Sequence, residues 1–325
     1  MIRHLHPTDS PGLLQFSQSS GRGETCTLVD ALQGGPDGFP TVKYAGIALS
    51  PRAWQSCWVE ARRGRIDALL RAGPRSGPEA WEVGELYLRK SKTELTLDLL
   101  EQIAIPAVGA GAHRIFVRIP VDGQVSSGTD SHGTIESVYD SARRAGFSTI
   151  YRETVYRCDS AHSALRRLGI PDHSLQLRAQ TESDNLALFR MYSATTPIEA
   201  RMKSGQTVQD WAAGVERLGR KASGWIFELP DGSLGAQMQR VTNRSGHTFN
   251  LNWSTAGGSE LPGLVAAALL DCKDVPVSTI VPEYRPALAH LLVTLGFEEK
   301  ERYDVLVKPL AQTVSETANA FAAIS

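Results

Sequence analysis

The chain has few cysteines, no long apolar run and almost no net charge, and each of these shortages argues against a class of protein. Its four cysteines lie far apart and form no Cys-x-x-Cys pair, which argues against zinc clusters and disulfide frameworks. No run of 18 apolar residues indicates a membrane span. The formal net charge is −1, whereas a nucleic-acid surface normally brings a basic excess. We therefore expect no metal, no membrane contact and no nucleic-acid partner.

What the chain does contain is enough apolar material for real cores. Its 325 residues, 42% of them hydrophobic, suffice for two domains of ordinary size. The first six residues, Met-Ile-Arg-His-Leu-His, lack the apolar centre of a secretion signal. We therefore expect a cytoplasmic protein.

One pattern occurs twice, about 150 residues apart, which is one domain length. Gly146-Phe147 and Gly296-Phe297 each follow a predicted helix and precede alternating, strand-like residues. Glycine just past a helix is the usual left-handed cap, and the phenylalanine after it can fold back onto the apolar face of the helix. Each pair should therefore lead into a strand or a hairpin. The repeat predicts two tandem domains of one architecture.

The fold class that we predict is α/β (α+β), with a mixed, mostly antiparallel twisted sheet flanked by helices in each domain. Residues 95–108 and 208–219 are each predicted to form a helix, and Pro106 should distort or shorten the end of the first. The predicted boundaries are 1–158 for the first domain, 159–173 for the connection, 174–310 for the second domain and 311–325 for a tail helix.

The order of predicted elements is a strand, one or two helices, a three-stranded meander, a helix, a strand, and a helix ending at Gly-Phe. Residues 58–60, 64–69 and 83–88 and both Gly-Phe pairs carry this pattern. It resembles the GNAT (Gcn5-related N-acetyltransferase) superfamily over both halves. The resemblance implies transfer of an acyl group from acetyl-CoA or another acyl-CoA to a small-molecule or peptide amine. It also implies that acyl-CoA lies in a gap between the fourth and fifth strands, with its pyrophosphate at the N-terminus of the next helix.

In the first half, the resemblance places the pyrophosphate loop at residues 88–96. Glu94 stands where the family has its first glycine, and a carboxylate there would repel phosphate. Lys90 and Lys92 still offer positive charge and are candidate cofactor-binding residues. The alternative is an ordinary solvated polar loop.

In the second half, the equivalent loop is residues 253–262. Its Gly257 and Ser259 match the Gly-x-Gly/Ala end of the family motif, and Ser254 stands in place of the family's Gln or Arg. Glycines let a backbone approach phosphate closely. We therefore expect Ser254, Gly257, Gly258 and Ser259 to bind the cofactor. The alternative is an ordinary glycine-rich turn from strand to helix.

Acyl transfer to an amine also needs a base that accepts the proton of the amine. Glu82 and Glu85 lie on the predicted fourth strand of the first half. They are an odd number of residues apart, so they should face opposite sides of the sheet, with one facing the cleft. The equivalent strand of the second half has Asn250 and Asn252, which cannot act as bases.

The acid that protonates the departing thiolate is commonly a tyrosine in this family. The matching positions are Ala142 and Leu292, and neither can donate a proton. Tyr139, one turn earlier, and Tyr284, at the start of the last helix, are candidate substitutes.

Because Glu94 replaces a glycine of the phosphate loop and Ala142 and Leu292 replace the acid tyrosine, a second function stays open. It is that of a catalytically inactive GNAT-fold pseudoenzyme acting in binding or assembly. A homodimer is also kept as an alternative. Six arginines of the first half are expected on solvated edges of strands and helices. They are Arg114, Arg118, Arg143, Arg144, Arg152 and Arg157.

Overall fold

The computed structural model describes residues 1–35, 38–50, 54–89, 92–121, 132–169, 175–219, 221–243, 246–270, 272 and 274–310. Their helices are α1 (Ser10–Ser17), α2 (Leu28–Leu32), α3 (Thr41–Ala48), α4 (Leu95–Gln102), α5 (Ala104–Gly109), α6 (His132–Arg144), α7 (Ala161–Leu168), α8 (Asn185–Thr195), α9 (Ile198–Ser204), α10 (Val208–Gly214), α11 (Leu261–Leu269) and α12 (Pro286–Thr294). Their strands are β1 (Ile2–His4), β2 (Cys57–Arg62), β3 (Arg65–Pro74), β4 (Ala80–Leu88), β5 (Arg114–Val121), β6 (Ser148–Cys158), β7 (Leu177–Ala179), β8 (Ser223–Glu228), β9 (Leu234–Asn243), β10 (Gly246–Trp253), β11 (Val277–Pro282) and β12 (Glu298–Pro309). Within these ranges, no helix combines the length and apolar character needed to cross a bilayer.

These strands form one sheet in the order β1-β2-β3-β4-β5-β12-β6-β11-β10-β9-β8-β7. Neighbouring strands are antiparallel except for two parallel pairs, β4 with β5 and β10 with β11. Each half of the sheet therefore has an antiparallel meander that ends in one parallel pair. The predicted class, a mixed and mostly antiparallel sheet flanked by helices in tandem halves, is confirmed.

The two halves exchange strands at the centre of the sheet. β6 pairs with β11 of the second half, and β12 returns to pair with β5 of the first half. Of the two alternatives expected after each Gly-Phe pair, a strand or a hairpin, the structure has the strand, and each of these long strands pairs with strands of the other half. The division at residues 159–173 stays a proposal.

Both predicted Gly-Phe caps are confirmed. Gly146 and Gly296 have φ values of 91° and 85°, in the left-handed region that favours glycine. The amide of Phe147 donates to the carbonyl of Ala142 at 3.0 Å, and Phe297 repeats this bond at 2.9 Å. Both rings are buried, each in the core of its own half.

The helix predicted over residues 95–108 is interrupted near Pro106, as expected, and the helix predicted over 208–219 is shorter than expected. Residues 95–108 form two helices that break at Ile103, because Pro106 has no N–H to donate to the carbonyl four residues earlier. The helix predicted over 208–219 ends at Gly214, and the extended backbone at Val215 brings Glu216 to Arg118 of β5. Helices α3 and α9 were not predicted, and the predicted tail helix lies outside the described residues.

The faces of β4 also differ from the prediction. A register shift opposite Arg71 leaves Gly84 as an extra, bulged residue, which resets the alternation of side chains. Glu82 and Glu85 therefore share one face instead of pointing to opposite sides. The residues of β4 that pack in the core on the other face are Trp81, Val83, Leu86 and Leu88.

Candidate functional site

The gap between the parallel strands of the first half is filled by the chain itself. β4 and β5 pair only as far as Val83 and Val117, then separate. Between them runs a segment in which the amide of Glu24 donates to the carbonyl of Leu86 at 2.8 Å. The next residue but one, Cys26, donates to the carbonyl of Arg118 at 3.2 Å and is fully buried. Backbone groups that a ligand could use at this level are therefore already bonded.

The gap of the second half opens onto a cavity. β10 and β11 pair from His247 to Phe249 and then separate. Beside the separated strands lies a cavity of about 170 Å³, lined by both strands and by α8 and α10. Its floor is the amide side chains of Asn250, Asn252, Gln237 and Gln239, because alternate residues of β9 and β10 face this side.

Five charged side chains form a buried charge cluster where the two halves meet, and three of them line the cavity. The five are Arg75, Glu82, Arg118, Glu153 and Glu216. Arg118 is fully buried and donates to both carboxylate oxygens of Glu216, at 2.8 and 2.7 Å, and also to Glu153. A guanidinium nitrogen of Arg75 lies 3.4 Å from a carboxylate oxygen of Glu82 and 3.4 Å from one of Glu216. Three carboxyl groups thus face two guanidinium groups.

The carboxyl groups of this cluster differ in acidity. Burial raises the pKa of Glu82 from 4.5 to about 7, against the attraction of Arg75. Although burial opposes it, Arg118 and Arg75 hold the pKa of Glu216 well below its ordinary value. A hydrogen bond joins the Glu82 and Glu216 carboxyl groups, so near neutral pH they share one proton.

Arg285, just before α12, lines the cavity and is only 9% exposed. It donates to the carbonyl of Trp253 at 3.0 Å and to Oγ1 of Thr195 at 2.8 Å. Its guanidinium also stacks on the Trp253 ring at 4.4 Å. No ion pair joins it to a carboxylate of the described residues, and burial lowers its pKa below the ordinary value.

The predicted bases are brought into different surroundings. Glu82 belongs to the buried charge cluster, and three of the other four members line the cavity. Glu85 is 3% exposed and accepts hydrogen bonds of 2.5 Å from both Lys43 and Tyr44 on α3. A guanidinium nitrogen of Arg71 also lies 3.6 Å from a carboxylate oxygen of Glu85. This geometry favours a structural role for Glu85, and its role as a base stays a prediction.

The two candidate acids are also separated. The hydroxyl of Tyr139 lies 2.9 Å from Oγ1 of Thr149, and Tyr139 does not line the cavity. Tyr284 does line it, and burial raises the pKa of Tyr284 to about 12. Between the two, Tyr284 is the better placed for chemistry in the cavity.

The glycine-rich loop of the second half runs from β10 through a 3-10 helix, Ala256–Glu260, into α11. The Ser254 hydroxyl accepts the amide of Gly257 at 3.1 Å, so this amide is already bonded. A Cβ on Gly257 would lie 2.2 Å from the carbonyl oxygen of Gly235, whereas at Gly258 the nearest atoms are 3.7 Å away. Gly257 therefore serves close packing, and Gly258 and the exposed Ser259 are the more open positions.

In the first-half loop, Lys92 lies 3.3 Å from Glu94, so part of its charge is neutralised locally. Lys90 lies outside the described residues. Among the residues that the structure describes, no three His, Cys, Asp or Glu side chains are arranged to hold a metal ion.

Sequence reasoning missed several site residues. Arg118 was expected on a solvated edge and is instead fully buried, so that expectation is wrong. Its partner Glu153 also stands within a strand, and a charge inside a strand was the available signal. Glu216 and Arg285 gave no such signal, because they lie between regular elements and are brought to the site by contacts with distant strands.

No protein-family model and no curated protein matches the chain by sequence. Solved structures do match its fold. A tandem GNAT protein from the clavulanic acid biosynthesis pathway is 15% identical, with 96% of this chain and 99% of that chain covered and a TM-score of 0.52. A GCN5-related N-acetyltransferase from Sphaerobacter thermophilus is 13% identical, with 97% and 96% covered and a TM-score of 0.52. The chain therefore has the fold of tandem GNAT proteins.

Proposed function

We propose that the chain is an acyl-CoA-dependent N-acyltransferase whose working cleft lies in its second half. The observation that carries this proposal is the separation of β10 and β11 beyond Phe249, beside a cavity of about 170 Å³. The corresponding gap of the first half is filled by residues 24–26. The first half would then act as a scaffold that supplies Glu82 and Arg118 to the shared cluster.

The proposed chemistry is attack of an amine nitrogen on the thioester carbonyl, with loss of the C–S bond. The amine proton would pass, by way of water and the Glu216 carboxylate that lines the cavity, to Glu82, whose pKa of about 7 is near that expected of a base working at neutral pH. Tyr284 keeps its proton at neutral pH and could donate it to the departing thiolate. The acceptor would be a small-molecule or peptide amine, and the protein would act in the cytoplasm.

The test is calorimetric titration of acetyl-CoA into the full chain and two variants. Gly258→Glu places a carboxylate at an open position of the second loop, whereas Lys92→Glu does so in the first loop. If the second loop holds the pyrophosphate, Gly258→Glu weakens binding by about tenfold or more, and Lys92→Glu leaves it unchanged. The reverse pattern would move the cofactor to the first half.

The second candidate is a GNAT-fold protein without acyl transfer that acts in binding or assembly. The bonded amide of Gly257 and the Arg285 contact with Trp253 at the end of β10 favour it. Failure of the unaltered chain to bind acetyl-CoA at millimolar concentration would overturn the acyltransferase proposal in its favour.

A further inference from the structure

The cavity of the second half has unlike charges at its two ends. At one end, the cavity wall carries two carboxyl groups of the buried charge cluster, those of Glu153 and Glu216, against one guanidinium, that of Arg75. At the other end lies the guanidinium of Arg285. It has no carboxylate partner among the described residues, although Arg285 is only 9% exposed. A buried cation without a counter-ion is costly, and an anionic group bound beside it removes that cost.

Aromatic rings separate the two ends. The ring centre of Tyr284 lies 5.9 Å from Cζ of Arg285 and 5.6 Å from the ring centre of Tyr151. Tyr151 in turn lies in the field of Glu153 and Glu216. Because two rings stand between the cluster and Arg285, the ends do not neutralise each other directly. A ligand that bridges them must carry its opposite charges several atoms apart.

The cavity suits a small molecule of this kind. Its volume of about 170 Å³ is far more than the roughly 10–15 Å³ that a single bound water needs on the same measure. The amide groups of Asn250 and Gln239 on its floor can donate to or accept from a polar ligand. The planar guanidinium of Arg285 matches a carboxylate in two-point contact better than any other side chain could.

We propose that the acceptor is a zwitterionic amino acid whose ammonium group faces the Glu153 and Glu216 end and whose carboxylate binds Arg285. This inference deepens the proposed function and rests on it only for the acyl transfer itself. Binding of the amino acid can be measured without acyl-CoA. Its outcome is therefore separate from that of the acetyl-CoA titration.

The first test compares three compounds of one chain length on the unaltered protein. Calorimetry would measure 6-aminohexanoate, hexylamine, which lacks the carboxylate, and hexanoate, which lacks the amine. We expect the zwitterion to bind about tenfold or more tightly than either half-compound, since each charged hydrogen bond contributes about 1.5–3 kcal/mol. Equal binding of hexylamine and 6-aminohexanoate, or no binding of any of the three, would overturn the proposal.

The second test removes the cation. Arg285→Gln should weaken 6-aminohexanoate about tenfold or more and leave hexylamine unchanged. The matched control is Arg240→Gln, because Arg240 likewise donates to a backbone carbonyl, that of Leu270, and stacks on a tryptophan, yet lies outside the cavity. It should leave both affinities unchanged.

One outcome of the second test would overturn the proposal, and another would leave the decision to the first test. If Arg285→Gln binds 6-aminohexanoate normally but loses acetyl-CoA, Arg285 serves a phosphate of the cofactor instead. If Arg285→Gln fails to fold in a denaturant melt, the three-compound comparison on the unaltered chain decides the question. If the unaltered chain does not bind acetyl-CoA, the acyltransferase proposal is overturned, whereas the proposed amino-acid site is not affected.

Discussion

Replacing Gly257 with alanine tests whether the glycine-rich loop of the second half is held by packing. The added Cβ would lie 2.2 Å from the carbonyl oxygen of Gly235 and 2.9 Å from its carbonyl carbon. Both atoms belong to backbone, so the conflict cannot be relieved by turning a side chain. The same oxygen accepts the amide of Ser254 at 2.8 Å, and moving it would also strain this bond.

The expected loss of stability follows from these two effects. Overpacking typically costs about 1–3 kcal/mol, and a weakened hydrogen bond adds about 0.5–1.5 kcal/mol. We therefore expect Gly257→Ala to lower the free energy of unfolding by about 2–4 kcal/mol. The matched control is Gly258→Ala, because the nearest atoms to its Cβ are 3.7 Å away and neither glycine has a positive φ.

Urea denaturation of the two variants and the unaltered chain provides the measurement. Gly258→Ala should stay within about 1 kcal/mol of the unaltered chain, since an alanine in open space mainly restricts the unfolded state. If the two variants unfold within about 0.5 kcal/mol of each other, the packing argument is refuted. The alternative interpretation of Gly257, that it lets the backbone approach a phosphate closely, would then be favoured.

Three other predictions concern the two caps and the cluster. Phe147→Ala and Phe297→Ala should each lower the free energy of unfolding by about 3–5 kcal/mol, because each ring is buried in a core. A loss below about 0.5 kcal/mol in urea melts would show that the ring is not part of a core. Arg118→Met should cost about 3–5 kcal/mol at neutral pH, because it leaves buried carboxylates without their cation. A near-neutral result would show that the cluster admits water. Because its folded pKa is raised from 4.5 to about 7, Glu82 should make the unaltered chain less stable as pH rises through that window, by about 1–3 kcal/mol. Glu82→Gln should remove that slope, and an unchanged slope would assign it to another group.

The sign of the Glu82 effect follows from proton counting. Between pH 4.5 and 7, the unfolded chain has lost the Glu82 proton while the folded chain still holds it. The folded state therefore binds more protons in this window, and raising the pH favours unfolding. Glu216 acts in the opposite sense, since its lowered pKa makes stability fall when the pH drops toward strongly acidic values.

Features that depend on neighbours in the chain could be predicted from the sequence. The cap at Gly296 needs only a left-handed glycine and a bond from Phe297 back to Leu292, all within six residues. The alternating burial of β10 likewise follows from its residue order. Such local signals determined the two repeats, most helices and strands, and the fold class.

Features that depend on distant contacts needed the tertiary structure. Glu216 reaches Arg118 across 98 residues, and Arg285 reaches Thr195 across 90. The exchange of β6 and β12 joins the two halves, and residues 24–26 fill the gap of the first half. Local periodicity says which face of a strand is buried, but it does not say which strand comes to lie beside it. The sequence by itself determined two repeated halves of known type, and only tertiary packing decided that one gap is filled and the other opens onto a charged cavity.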